Sequence, residues 1–119
     1  MATILVLDDI PDAVLLLKKI LSRKGHTVHA FSDEEEAMAF AATTQLDLAI
    51  LDIKLKKIGG LQVLAFLKQL LPPPKVMMLT GYPTLETARE ALSLGAEEYC
   101  SKPIDRQELE NKVALVLGR

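Results

Sequence analysis

Short apolar runs alternate with segments of helical period along the whole chain, and this alternation limits the fold more than any other feature. Four of the five runs end on a chemically useful polar residue. Continuous apolar runs of four or five residues are typical of strands buried on both faces, as in a parallel sheet. The carboxyl ends of parallel strands share one edge, so the residues that end these runs are predicted to converge.

Three carboxylates, a hydroxyl and a lysine stand at that predicted edge. The runs 4–7, 48–51, 76–79 and 98–100 lead into Asp8 and Asp9, Asp52, Thr80, and Lys102 with Pro103. Open α/β sheets bind ligands at this edge, in the crevice where the strand order reverses. Carboxylates suit a hard cation, and a hydroxyl with an ammonium suits phosphoryl oxygens. The set predicts a site for Mg²⁺ and a phosphoryl group.

Size and composition limit the remaining possibilities. The 119 residues predict one domain over 1–119, and net charge −2 without a long basic block argues against direct nucleic-acid binding. No apolar stretch approaches the roughly 20 residues of a membrane span, and the N-terminus enters a strand without a basic leader. We therefore expect no membrane partner and a cytoplasmic location. The single Cys100 predicts a buried thiol rather than a disulfide.

Five βα units account for the whole sequence. Strands are predicted near 4–7, 27–31, 47–51, 76–79 and 97–100, and helices near 11–25, 33–43, 61–70, 84–95 and 105–117. The last helix should bury Leu109, Val113 and Leu117. Five βα units permit more than one strand order, but right-handed crossovers cover both faces of the sheet only if the chain reverses direction once, as in the order 2-1-3-4-5. We therefore predict a flavodoxin-like (βα)5 doubly wound parallel α/β sheet, which places Asp8 and Asp9 beside Asp52.

Each candidate residue also has an ordinary structural explanation. Asp9 could cap a helix, Asp52 could be a solvated loop acid, Thr80 could form a turn, and Lys102 could be a surface ammonium. The joint occurrence favours chemistry, because chance capping would not place these types after different strands in this order. Three crowded acids would repel one another without a cation, and a carboxylate can act as a nucleophile toward phosphorus.

These residues resemble the receiver domain of two-component response regulators, of the chemotaxis-regulator type, over essentially the whole chain. The matching pieces are Leu7-Asp8-Asp9, Leu51-Asp52, Gly60, Leu79-Thr80-Gly81, Gly95-Ala96, Tyr99 and Lys102-Pro103. The resemblance implies a signalling domain that catalyses only its own phosphorylation and dephosphorylation. It implies partners as well: a sensor histidine kinase or phosphotransfer domain, and an output protein or domain of unknown identity.

The resemblance also implies residue roles. Asp52 would take the phosphoryl group from a phosphohistidine, with Mg²⁺ or Mn²⁺ held by Asp9, Asp52 and the Lys54 backbone carbonyl, and by Asp8 largely through water. Thr80 and Lys102 would contact the phosphoryl oxygens.

A conformational switch is implied by the same resemblance. Thr80 would move toward the phosphoryl group while Tyr99 turns inward, and the output surface would be the fourth helix, fifth strand and fifth helix. A cis bond is implied before Pro103.

One loop departs from the family pattern. Members commonly carry Pro where this chain has Lys56, and an acid where it has Gly59. We expect the loop 54–60 to be more basic and more mobile, with its lysines solvated.

Three alternative functions fit these residues less well than the receiver. A haloacid dehalogenase-type hydrolase would place an acid two residues after its nucleophile, where this chain has Lys54. A flavodoxin-like electron carrier would need a phosphate-binding loop where the chain has Asp8 and Asp9. A degenerate receiver that serves only as an interaction module does not require the intact acids, Thr80 and Lys102. Both a stand-alone regulator and a segment of a longer protein fit residues 1–119.

Overall fold

The computed structural model describes residues 1–119, and five parallel strands form its one sheet. The strands are β1 (Thr3–Leu7), β2 (Thr27–Phe31), β3 (Leu48–Leu51), β4 (Lys75–Thr80) and β5 (Glu98–Ser101). The helices are α1 (Pro11–Arg23), α2 (Glu34–Thr43), α3 (Gly60–Leu67), α4 (Leu85–Ser93) and α5 (Arg106–Leu117). The strand order β2-β1-β3-β4-β5 confirms the predicted topology.

Both faces of the sheet are covered, which explains why the strands are continuously apolar. Along β1, Ile4 and Val6 pack on the side of α1 and α5, whereas Leu5 and Leu7 pack on the side of α2, α3 and α4. Successive side chains of a strand point to opposite faces, so a strand with helices on both sides needs an apolar residue at every position.

Local signals set most helix ends where the sequence predicts them. The side chains of Asp33, Thr84 and Asp105 cap α2, α4 and α5 by accepting a backbone N–H bond. After α1, Gly25 has φ of +89°, a left-handed conformation that favours glycine. Helix α3 ends at Leu67, three residues before the predicted end.

The buried face of α5 corrects one prediction. Leu109 and Val113 are buried as expected, but the third buried residue is Val116, and Leu117 is only half-buried. At 3.6 residues per turn, position i+7 lies within about 20° of position i, whereas i+8 is rotated about 80° away. The chain contains no helix with the length and hydropathy needed to cross a membrane.

Candidate functional site

Three acids meet at the carboxyl edge of the two central strands. Asp8 and Asp9 follow β1, Asp52 follows β3, and the two strands are hydrogen-bonded neighbours with Leu7 opposite Leu51. One carboxylate oxygen of each acid lies within 4.8 Å of the others. Asp8 is 2% exposed and Asp52 is 6% exposed, whereas Asp9 is half-buried. The structure therefore brings the three predicted acids together.

The Lys102 ammonium reaches the same cluster from the end of β5. It donates hydrogen bonds to Oδ2 of Asp8 and to Oδ2 of Asp52, the latter at 3.1 Å. Burial alone would lower the pKa of Lys102, but the bonds to the two carboxylates outweigh burial and raise the pKa above its ordinary value. Lys102 is thus a charged member of the site and not a free surface ammonium.

Asp9 is the acid without a partner in the cluster. Asp8 accepts the Ile10 N–H at 3.0 Å and Asp52 accepts the Lys54 N–H at 3.4 Å, both through Oδ1. Helix α1 has no side-chain cap, so Asp9 does not serve the capping role that its position would allow. Three carboxylates facing one ammonium leave the site negatively charged, and that excess fits a bound divalent cation.

Thr80 and Tyr99 form two hydrogen-bonded links toward the start of α4. The fully buried Thr80 accepts the Tyr82 N–H through its hydroxyl at 3.1 Å. The Tyr99 hydroxyl lies 2.8 Å from Oγ1 of Thr87 and accepts the N–H of Thr84, the cap of α4, at 3.4 Å. The turn proposed for Thr80 is therefore present, and it joins the site to α4.

The loop between β3 and α3 has more anchoring contacts than its basic composition suggests. Gly60 donates its N–H to the Ile53 carbonyl at 2.8 Å, and a Cβ at Gly60 would lie 1.9 Å from the Asp52 carbonyl oxygen, so only glycine fits. Earlier in the loop, Lys57 and Ile58 donate their backbone N–H groups to the Glu34 carboxylate. These contacts differ from the expectation of a mobile loop.

Glu34 is the functional candidate that sequence reasoning missed. The sequence marked it only as one of several acids in the first turn of α2, and its contacts lie 23 and 24 residues away. No local pattern signals such a long-range bond.

A cavity of about 590 Å³ opens beside the acid cluster. Its lining includes Asp9, Asp52 and Lys102 together with Lys54 and Tyr82. The Lys54 ammonium lies 4.2 Å from the centre of the Tyr82 ring, a cation–π contact at the mouth of the site. The peptide bonds before Pro103 and before Pro72 are both cis, and the second was not foreseen in the sequence.

The family model of the response regulator receiver domain matches residues 4–114 of this chain. The chain therefore belongs to this family, the signalling receiver domains of two-component systems. The fold and the acidic cluster at its carboxyl edge agree with that membership.

Curated relatives and solved structures support the same family. The chain is 37% identical over 98% of its length to the alkaline phosphatase synthesis transcriptional regulatory protein PhoP of Bacillus subtilis, and covers 48% of that protein. It is 34% identical over 98% of its length to the DNA-binding transcriptional regulator NtrC of Azospirillum brasilense, and covers 24% of it. The chain thus spans about half or less of the length of these two relatives.

Among solved structures, the chain is similar to a CheY-like response regulator receiver domain protein from Methanospirillum hungatei. The TM-score is 0.93 at 32% identity, covering 99% of this chain and 94% of that one. A receiver domain protein from Clostridium thermocellum gives a TM-score of 0.90 at 31% identity, covering 100% and 96%.

Proposed function

We propose that this domain, residues 1–119, is a phosphorylation-activated switch whose phosphoacceptor is Asp52. The observation that supports this assignment is the position of the Asp52 carboxylate, which is nearly buried, clusters with Asp8 and Asp9, and accepts a hydrogen bond from the Lys102 ammonium. No carboxylate outside the cluster follows a strand and also lies beside both an acid pair and a lysine ammonium.

The transfer step is a displacement at phosphorus. An Asp52 carboxylate oxygen attacks the phosphorus of a phosphohistidine on a sensor histidine kinase or phosphotransfer domain; the new O–P bond forms as the N–P bond breaks, and the electron pair leaves with the imidazole nitrogen. Lys102 neutralises charge on one phosphoryl oxygen, and the Thr80 hydroxyl donates to another. Hydrolysis of the aspartyl phosphate by water would return Asp52 to its free form.

A divalent cation is part of the proposal. Asp8, Asp9, Asp52 and the Lys54 backbone carbonyl would hold Mg²⁺, or Mn²⁺ in its place, because hard cations prefer oxygen ligands. The cation would neutralise developing negative charge on the phosphoryl oxygens. Three carboxylates with one ammonium between them supply the donor set and the charge that such an ion requires.

The surface formed by α4, β5 and α5 is proposed to change on phosphorylation and to transmit the signal. When Thr80 turns to the phosphoryl group it must release the Tyr82 N–H, two residues before the α4 cap at Thr84. Tyr99, whose hydroxyl now binds Thr84 and Thr87, would then turn inward. The altered surface would engage an output protein or domain that this chain does not identify.

Mass spectrometry after incubation with acetyl phosphate and Mg²⁺ tests the phosphoacceptor. We expect one phosphate on the wild type, none on Asp52→Asn, and one on the control Asp12→Asn, an exposed acid of α1 outside the cluster. A stoichiometric phosphate on Asp52→Asn would overturn the assignment. Continuous release of phosphate without a phosphorylated species would instead favour a phosphatase.

A further inference from the structure

A buried carboxylate outside the acid cluster holds the loop that leaves Asp52. Glu34, the first residue of α2, is 1% exposed. Its Oε2 atom accepts the backbone N–H groups of Lys57 and Ile58, each at 2.5 Å. Both donors lie in the loop between β3 and α3, where no helix or strand supplies them with a partner.

The two N–H groups account for a charged Glu34 in a buried position. Burial raises the pKa of the Glu34 carboxyl, yet the backbone N–H donors of Ile58, Glu34 and Lys57 outweigh burial, and the pKa lies below its usual value. Hydrogen bonds to an ionised acceptor are about twice as strong as neutral ones. The Glu34 contact is therefore the strong attachment of the loop to α2.

The ion pairs beside it contribute less. The Lys57 ammonium lies 2.7 Å from Asp33 and 3.3 Å from Glu35, but its side chain is 56% exposed. Exposed pairs of this kind are weak. The backbone bonds of Glu34, rather than the Lys57 ammonium, should fix the loop.

The anchored points bracket the Lys54 carbonyl. On one side, the Ile53 carbonyl accepts the Gly60 N–H. On the other, Lys57 and Ile58 are held by Glu34, while Leu55 and Lys56 between them donate no backbone hydrogen bond. Without Glu34, the four residues 55–58 after Lys54 would have no hydrogen-bonded backbone N–H group, and only the exposed Lys57 ion pairs and the packing of Leu55 and Ile58 on the core would hold them.

We propose that Glu34 is a positioning residue, which holds the loop so that the Lys54 carbonyl is presented to the cation beside Asp52. This inference rests on the proposed function for the role of the cation. Glu34 itself does not touch the cluster, so its effect must pass through the loop backbone.

Amide hydrogen exchange and Mg²⁺ titration of the unphosphorylated protein test the proposal. In the wild type, the Lys57 and Ile58 amides should exchange at least about tenfold more slowly than those of Leu55 and Lys56, because only the first pair is hydrogen-bonded. In Glu34→Ala this protection should be lost and the Kd for Mg²⁺ should rise about tenfold, the lower end of losses seen when outer partners of a metal site are removed. Glu34→Gln keeps an acceptor oxygen and should fall between the two.

Matched controls separate the backbone bonds from charge. Lys57→Ala removes the ammonium but keeps the N–H that Glu34 binds, and Glu36→Ala removes an exposed acid of the same helix turn. Both should change the Kd by less than about twofold. A wild-type Kd in folded Glu34→Ala, or equal exchange at Leu55 and Ile58 in the wild type, would overturn the proposal; the second measurement needs no variant.

The exchange measurement also separates this proposal from the proposed function. If the wild type bound no Mg²⁺ and gained no phosphate, the proposed function would fail. Slow exchange at Lys57 and Ile58 that is lost in Glu34→Ala would still establish the attachment, but the role in presenting Lys54 would be overturned.

Discussion

The acidic side chains at the two ends of the sheet differ in how well they are paired with hydrogen-bond donors. At the amino end, Glu97 accepts the Lys68 ammonium at 3.0 Å and the Val76 N–H at 2.7 Å, and Asp47 accepts the Thr3 N–H at 2.8 Å. At the carboxyl end, three carboxylates cluster around one ammonium, which pairs with Asp8 and Asp52 and leaves Asp9 without a partner.

The acids at the amino end are paired with donors and should stabilise the fold, whereas the crowded acids at the carboxyl end should destabilise it. A partnered acid adds stability because its desolvation is compensated by fixed donors. Crowded acids cost stability through repulsion, which a bound cation can relieve. Active sites commonly give up stability in this way. The comparison predicts opposite responses to the removal of an acid at each end.

The largest effect is expected at the amino end. Glu97→Ala should lower the free energy of unfolding by about 3 kcal/mol, because it leaves the Val76 N–H without a partner and the part-buried Lys68 ammonium without its counter-charge, with only the Pro74 carbonyl as an acceptor. Urea denaturation measures the loss. The control Glu90→Ala, an exposed acid of α4, should stay within about 0.5 kcal/mol of the wild type. A Glu97→Ala loss no larger than the control's would mean that the amino-end contacts do not stabilise the fold.

Mg²⁺ should stabilise the protein through the acids at the carboxyl end and not through those at the amino end. A ligand that binds only the folded state stabilises it by about 2.7 kcal/mol at a hundredfold excess over its Kd. We expect Mg²⁺ to stabilise the wild type and Glu97→Ala equally at matched saturation, and Asp9→Ala much less. Thermal melts with and without Mg²⁺ give the comparison. An undiminished Mg²⁺ shift in Asp9→Ala would remove Asp9 from the ligand set.

Removing an acid from the cluster should stabilise the metal-free protein. Asp9→Ala takes away repulsion toward Asp8 and Asp52 without breaking a hydrogen bond, since Asp9 makes none, and the expected gain is about 1 kcal/mol. The gain should shrink only modestly at high salt, because this carboxylate is half-buried and partly buried charges are screened less than exposed ones. If Asp9→Ala kept full Mg²⁺ affinity and melted lower without metal, the contrast between the two ends would be wrong.

The carboxyl edge was more predictable from sequence than the contacts behind it. Asp8, Asp9, Asp52 and Lys102 follow strands whose apolar runs are unmistakable, and parallel pairing then forces them to one edge. The attachment of Glu34 to Lys57 was not predictable, because it depends on how α2 and the loop meet across 23 residues. Patterns of local period carry no information about such a contact.

The error in α5 has a simpler physical origin. The predicted set Leu109, Val113 and Leu117 repeats a spacing of four, but two such steps rotate about 80° around the helix, so Val116, seven residues after Leu109, occupies the core position. The cis bond before Pro72 was also missed, since a run of three prolines indicates a stiff connection without specifying the isomer.

The smallest expected effect concerns how long the carboxyl end keeps its phosphoryl group. Hydrolysis of an aspartyl phosphate requires water in line with the phosphorus. Lys54 and Tyr82 line the cavity beside Asp52 and contact each other, and neither side chain offers a carboxylate or amide to orient that water. We therefore expect slow self-dephosphorylation.

Replacing both residues with water-orienting side chains tests this shielding. The decay of phosphorylated protein in Mg²⁺ should be about fivefold faster in the double variant Lys54→Asn, Tyr82→Glu, equivalent to about 1 kcal/mol of barrier. Lys56→Asn is the control, because it removes a neighbouring loop lysine and leaves the Lys54–Tyr82 contact in place. If the double variant decayed no faster than the wild type, the lifetime of the phosphorylated protein would be set elsewhere in the loop. The exposed side chains of Lys54 and Tyr82 would then not shield the phosphoryl group at the carboxyl end of the sheet.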